Sequence, residues 1–266
     1  VANASENSGP THEFSDAFFA EIKERVEGAL KTGQAPRVAA FDADGTLWDR
    51  DAGETFFDWQ IKNCRLALPA DPWSHYHRLK VPDPRVAYTW LAEISAGHEL
   101  AQVRRWAAEC FRGAGPWPTF ASQLRLVEWL RSKDFDIYIV TASVKWAVEP
   151  LAHLYGVDFE HVLGITTQVV DGRVSKTATH PITWRQGKAE ALLKVLGGAR
   201  PILACGNTYG DSALIETATH VSLTVSTQVK AEGPLGGLFE EERKLREEAR
   251  ARGWLMHAFR PLESPR

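Results

Sequence analysis

Two aspartates spaced by two, Asp42 and Asp44, stand where an apolar stretch runs into a glycine: Val38-Ala39-Ala40-Phe41-Asp42-Ala43-Asp44-Gly45-Thr46. On a strand, residues two apart project to the same side, so both carboxylates point into the space beyond the strand end. Like-charged acids that close repel unless a cation or a shared proton relieves them. The pair is therefore a candidate for metal binding or for acid–base work. Gly45 then permits a tight turn whose N–H groups can face an anion. Taken alone, D-x-D is more commonly an acidic turn followed by a helix cap. The remaining chemistry-bearing residue types are less organised. Cys64, Cys110 and Cys205 are scattered without C-x-x-C spacing, which speaks against a disulfide framework and a zinc site. The nine histidines show no H-E-x-x-H or other ligand spacing. Trp48, Trp59, Trp73 and Trp90 have the chemistry to cage a quaternary ammonium group, but they read more simply as packing residues.

The elements that must position the acid pair follow from periodicity. Phe18, Ile22, Val26 and Leu30 share one helical face, and Gly33 and Pro36 end that helix. The apolar run before Asp42 suits a buried parallel strand. Residues 52–113 read as helical, with stretches at Thr55–Arg65, Arg85–Ser95 and His98–Phe111. Proline-bearing turns at Pro69, Pro72, Pro82 and Pro84 separate them, and Gly113–Pro118 forms an exit hinge. A helix at Phe120–Ser132, the strand DIYIVTAS and a helix at Val144–Tyr155 come next. Asp171-Gly172 marks a hairpin turn. A helix at Lys188–Leu196, the strand PILACGN, a last strand HVSLTVS and a charged tail helix with a solvated face complete the chain. Alternating strands and helices predict an α/β fold with a doubly wound parallel sheet, whose sites lie at the carboxyl ends of the strands.

With that framework, the Asp-x-Asp-Gly-Thr stretch resembles the first motif of the haloacid dehalogenase superfamily, most of whose members are phosphohydrolases. Three further motifs appear in order. Thr141, in IYIVTAS, is similar to the second motif's Ser/Thr, and Lys188, in WRQGKAEALL, to the third motif's lysine. Gly206-Asn207-Thr208-Tyr209-Gly210-Asp211 is similar to the fourth motif's G-D-x-x-x-D, with Asn207 in place of its first Asp. A helical insertion between the first and second motifs resembles the phosphoserine phosphatase-like branch. The resemblance spans residues from about 37 to 225. It implies a Rossmann-like core of residues 13–51 and 114–266 and a cap of residues 52–113, while the small, polar residues 1–12 read as a flexible end.

The resemblance also implies roles. Asp42 is the nucleophile and a ligand of Mg²⁺, forming an aspartyl-phosphate. Asp44 offers its backbone carbonyl to the metal and its carboxyl as general acid and base. Thr141 donates to a phosphoryl oxygen, and Lys188 balances charge. Asn207 completes the metal site with Asp211, which holds the metal's water shell or orients Lys188. Asp51 and Glu54 are alternative readers of the substrate, and no arginine dedicated to a substrate carboxylate is identifiable. The implied function is Mg²⁺-dependent hydrolysis of a small phosphorylated metabolite. Two alternatives stand beside it: a metal-free haloacid dehalogenase-type hydrolase, against which Asp44 counts, and a non-catalytic phosphoryl-binding relative, which Asn207 favours. In 266 residues, 31 basic side chains against 34 acidic ones give a net charge of −3, so nothing favours nucleic acid or an anionic membrane surface. No apolar run reaches the ~18–20 residues that span a bilayer, and a cytoplasmic location is expected. The start at Val1 leaves a removed leader open.

Overall fold

A computed structural model describes residues 13–33, 35–227 and 236–259; the segment 1–12, expected to be flexible, lies outside them. In chain order the elements are α1 (Asp16–Thr32), β1 (Val38–Phe41), α2 (Ala52–Asn63), α3 (Pro72–Lys80), α4 (Pro84–Glu93), α5 (Leu100–Gly113) and α6 (Ala121–Arg131). Then follow β2 (Asp136–Val144), α7 (Lys145–Ala152), β3 (Val162–Ile165), β4 (Thr167–Val170), β5 (Arg173–Ala178) and α8 (Gln186–Val195). The last are β6 (Leu203–Gly206), α9 (Ser212–Glu216), β7 (Val221–Ser226), α10 (Gly236–Arg252) and β8 (Leu255–Ala258). Six strands form one parallel sheet in the order β3-β2-β1-β6-β7-β8. The chain winds outward from β1 through β2 and β3, then restarts at β6 on the other side of β1. That reversal makes the β1–β6 edge a switch point, where such sheets hold their ligands.

Both faces of the sheet are covered, which is why β1 is apolar at every position. Ala39 and Phe41 share a large core with Phe19, Ile22 and Val26 of α1 and Leu126, Val127 and Leu130 of α6. Ala40 joins Val140, Ala204, Leu192 of α8 and Leu214 of α9 in a smaller one. Burial of each large aliphatic or aromatic side chain stabilises the fold by about 1.5–3 kcal/mol. The inward face of α1 is Phe19, Ile22, Val26 and Ala29, rotated slightly from the face expected, with Phe18 only partly buried.

Helices α2 to α5 form the insertion between β1 and β2. Asp51, Asp71 and Asp83 cap the first three, accepting N–H bonds from Glu54, Ser74 and Arg85 at 2.7, 3.0 and 3.0 Å. Pro72 and Pro84 sit in the first turns of α3 and α4, where a missing N–H costs nothing. Read from sequence as turn prolines, they concealed α3, which was not expected. The strands entering and leaving the insertion pair with each other: Asp49 N–H donates to the Pro118 carbonyl at 2.9 Å and Phe120 N–H to the Leu47 carbonyl at 3.0 Å. This bridge, Trp48 opposite Thr119, closes the insertion just after the expected exit hinge at Gly113–Pro118. Arg104 of α5 grips the buried Glu149 of α7 through two bonds of 2.7 and 2.8 Å, tying insertion to core.

The hairpin expected at Asp171-Gly172 forms. β4 and β5 make a separate antiparallel pair, and both turn residues have positive φ, 49° and 76°, as a two-residue turn requires. The hairpin bonds to the α4–α5 turn through Gly97–Val174 and Leu100–Gly172. At the far edge, β8 follows α10 and was not expected. The tail helix is also not purely a solvated face: Glu242 is fully buried, accepting from Ser226 Oγ at 2.8 Å and from Thr227 N at 3.0 Å.

Candidate active site

Strand register sets the level of the site. Phe41 lies opposite both Ile139 of β2 and Cys205 of β6, so Asp42, Thr141 and Asn207 leave three adjacent strands at nearly one height. Asp42 N–H still bonds to the Cys205 carbonyl at 2.9 Å. Gly45 turns the chain at φ 79°, and a Cβ there would meet the Asn207 amide nitrogen at 2.2 Å. Glycine is thus required both by conformation and by the approach of Asn207. Gly187 plays the same spatial part for α8, since a Cβ would fall 1.8 Å from the Ile182 carbonyl oxygen. That close packing brings the first turn of α8, with Lys188, to the strand ends.

Lys188 is buried and bridges two acids, its Nζ 2.5 Å from Asp42 Oδ1 and 2.5 Å from Asp211 Oδ1. Burial alone would lower its pKa, but Asp211 and Asp42 outweigh that and raise it. Asp42 is lifted from 3.8 to about 7, by burial first and then by Asp211, with Lys188 opposing. Its other oxygen, Oδ2, lies 3.2 Å from the Thr46 hydroxyl, which stands the same distance from Asn207 Oδ1. Two hard oxygen acceptors therefore converge on one point. Asp211 takes a different position: Oδ2 accepts from Asn207 N, Thr208 N and Thr208 Oγ1 at 3.2, 3.0 and 3.1 Å. Both its oxygens are occupied, one by Lys188 and one by its own loop.

Asp44 points toward the insertion. Its Oδ1 accepts from Trp48 Nε1 at 2.7 Å and Ala52 N at 2.9 Å, and its Oδ2 from Ser143 Oγ at 2.6 Å. Burial raises its pKa, against the pull of the hydrogen bonds from Ser143, Ala52 and Trp48. Thr141 is buried, accepts the Ser143 N–H at 3.0 Å, and offers its carbonyl to Thr183 Oγ1 at 2.7 Å.

Asp42, Asp44, Asp51, Glu54, Thr141, Lys188 and Asn207 all line one cavity of about 230 Å³. Every predicted site residue except Asp211 is in that wall, and Asp211 reaches it through Lys188. The far wall, supplied by the insertion, adds Gly53, Tyr76, Tyr88 and Leu91, and no arginine lines it among the described residues. Tyr76 was missed because α3 was missed, and Tyr88, on the expected helix α4, because nothing in its spacing marks it. Ser143 and Thr46 were within reach of sequence reasoning, the first two past Thr141 on the same strand and the second inside D-G-T. Of the four tryptophans considered, none lines this cavity; Trp48 is buried core, and Trp90 faces a separate cleft between α4 and the loop before α8.

Two buried carboxylates and a buried lysine thus meet at the switch point of a parallel α/β sheet. The chain belongs to the haloacid dehalogenase-like hydrolases, whose family model matches residues 39–216. It is similar to a phosphorylcholine phosphatase of Pseudomonas aeruginosa, with 22% identity over 76% of this chain and 78% of that protein. Among solved structures it resembles a Bordetella pertussis protein of unknown function, at 22% identity and a TM-score of 0.63, covering 84% of this chain and 99% of the other. It also resembles a phosphoserine phosphatase in a phospho-aspartyl intermediate analogue form, at 11% identity and a TM-score of 0.50, covering 86% and 95%. Both solved structures share its fold. Among the described residues, no helix is long and apolar enough to cross a membrane.

Proposed function

We propose that this enzyme hydrolyses a small phosphomonoester with the help of Mg²⁺, residues 52–113 serving as its cap. The observation that carries the reading is the Asp42–Lys188–Asp211 chain at the β1–β6 switch point, beside Thr141 and Asn207. Asp42 attacks phosphorus and the bond to the alcohol oxygen breaks, while Asp44 gives its proton to the leaving alkoxide. Water then attacks the aspartyl-phosphate, the bond to Asp42 breaks, and Asp44 takes the water's proton. Inorganic phosphate and a free alcohol leave. Lys188 offsets the negative charge that gathers on Asp42 and the phosphoryl group, and Thr141 donates to a phosphoryl oxygen.

The donor set fits Mg²⁺, a hard cation that prefers oxygen and keeps several waters. Asp42 Oδ2 and Asn207 Oδ1 share the Thr46 hydroxyl, and these two oxygens, with the Asp44 backbone carbonyl, would hold the ion. When bound, the ion masks the charge of the phosphoryl group.

For the alcohol part we propose an ammonium-bearing headgroup. Asp51, Glu54, Tyr76 and Tyr88 form the wall opposite the nucleophile, and among the described residues no arginine lines it. Carboxylates and tyrosine rings both attract a cation, and the Pseudomonas relative bears phosphorylcholine in its name. The test is phosphate release from phosphorylcholine, phosphoethanolamine, phosphoserine and glycerol phosphate, with Mg²⁺ and with excess chelator. Mg²⁺-dependent turnover led by the first two supports the reading. Turnover in chelator removes the metal from it, and a lead for phosphoserine removes the headgroup assignment.

A further inference from the structure

A cation of the chain itself lies against three residues of the far wall, Glu54, Tyr76 and Tyr88, without lining the cavity. Lys80, in the last turn of α3, lies four residues after Tyr76, so its stem returns over that ring. Its Nζ is 3.4 Å from Tyr76 Oη and 3.5 Å from Glu54 Oε1. The same ammonium lies 5.2 and 5.3 Å from the ring centroids of Tyr76 and Tyr88, within cation–π range. Tyr76 Oη also donates to Glu54 Oε1 at 3.2 Å. Two rings and a carboxylate thus surround an ammonium supplied by the chain itself. Its polar contacts sit at the long end of the hydrogen-bond range, and its side chain is 37% exposed, so it has a path outward. Burial alone would lower its pKa, but Tyr88, Glu54 and Asp51 outweigh that and keep it charged.

Resting on the phosphatase reading, we propose that Lys80 is a specificity-determining residue: a tethered ammonium that occupies the Glu54–Tyr76–Tyr88 box and competes with the cationic end of the substrate. A tethered group competes at the high effective concentration its short stem imposes. The wild-type enzyme therefore gains only the difference between its own ammonium and the substrate's. A quaternary headgroup gains entry through better packing against the rings. Lys80 thereby lowers the preference for cationic over neutral esters.

The experiment compares wild type with Lys80→Met, which keeps the stem and removes the charge, and with Lys80→Arg, which keeps the charge. One readout is the ratio of kcat/KM for phosphorylcholine to that for glycerol phosphate, in which any general effect on phosphate binding cancels. The other is the Kd of choline by titration calorimetry, which needs no hydrolysis. Lys80→Met is expected to raise the ratio roughly tenfold through KM and to tighten choline by a similar factor, whereas Lys80→Arg keeps both near wild type. An unchanged or lower ratio with unchanged or weaker choline binding overturns the proposal. So does an equal fall for both esters, which would make Lys80 a support for α3. If no ester is hydrolysed by any of the three proteins, the phosphatase reading fails while the choline titration still decides the role of Lys80.

Discussion

Replacing Asp42 by Asn should abolish turnover and stabilise the metal-free protein, and the second effect can be worked from the structure. Asp42 is buried beside Asp211, and its carboxyl is lifted from 3.8 to about 7 despite the Lys188 ammonium at 2.5 Å. An acid whose pKa is raised by folding binds more protons in the native state than in the unfolded one between those two values. Stability must then fall as pH rises through that window and stay at its lowest above it. The cost is well under ~1 kcal/mol at pH 4 and on the order of 4 kcal/mol at pH 8. Lys188 is already included, since its attraction opposes the rise. Asn keeps the shape and the Thr46 contact but carries no charge to desolvate, so Asp42→Asn escapes the penalty. Allowing for imperfect hydrogen bonding, we expect a gain of about 2–4 kcal/mol at pH 8, or roughly 5–12 °C in Tm for a chain of this size. The gain should shrink almost to nothing at pH 4. Thermal unfolding in chelator at the two pH values measures it, and phosphate release with Mg²⁺ should fall by about four orders of magnitude or more. A variant no more stable than wild type at pH 8, or one whose gain is the same at pH 4, would refute the electrostatic account. Retained turnover would refute the nucleophile.

Three further outcomes can be stated. Ser143→Ala removes the 2.6 Å contact to Asp44 and should lower kcat about tenfold on alkyl phosphates but less on an activated aryl phosphate; equal losses would detach Ser143 from the acid. Asn207→Asp gives the proposed metal site a second carboxylate and should lower the Mg²⁺ concentration for half-maximal activity, whereas an unchanged requirement would remove Asn207 from the ligand set. Arg104→Met leaves the buried Glu149 carboxylate with only Lys145, 3.6 Å away, and should cost about 2–4 kcal/mol in urea unfolding. The double variant Arg104→Met/Glu149→Leu should recover most of that loss, and a double variant as unstable as the sum of its parts would deny the coupling.

Strands β1, β2, β6 and β7 of the parallel sheet were legible, three of them as short apolar runs ending in chemistry: Phe41 into Asp42, Val140 into Thr141, Gly206 into Asn207, whereas β3 was not expected. Local pattern and tertiary role agree at those points. What escaped was structure whose signal is shared with something else. A proline in the first turn of a helix and a proline in a turn look alike, so Pro72 hid α3 and with it Tyr76 and Lys80. β8 follows a strongly charged helix and spans only Leu255–Ala258, and it owes its existence to pairing with β7 rather than to any alternation of its own. Glu242 belongs to a run of acids, and its burial against Ser226 and Thr227 at the end of β7 is set by tertiary contacts that the run of letters does not carry.

The fourth motif shows where spacing stops and geometry must take over. Asn207 and Asp211 are equally plausible carriers of metal charge when read as letters four apart. In three dimensions they separate. Asp211 is held by Lys188 on one oxygen and by three donors of its own loop on the other. Turning it onto a metal would forfeit the loop's bonds and leave buried N–H groups unpaired, at about 1–3 kcal/mol for each. Asn207 Oδ1 gives up only a shared 3.2 Å contact with Thr46. We therefore assign Asp211 to fixing Lys188 and the loop, and the ligand position to Asn207. The neutral amide there also limits the cost of the empty site, because a carboxylate would add a further buried charge beside Asp42, whose own carboxyl already stands near 7. Affinity for the ion and stability without it pull in opposite directions at residue 207, and the asparagine favours stability.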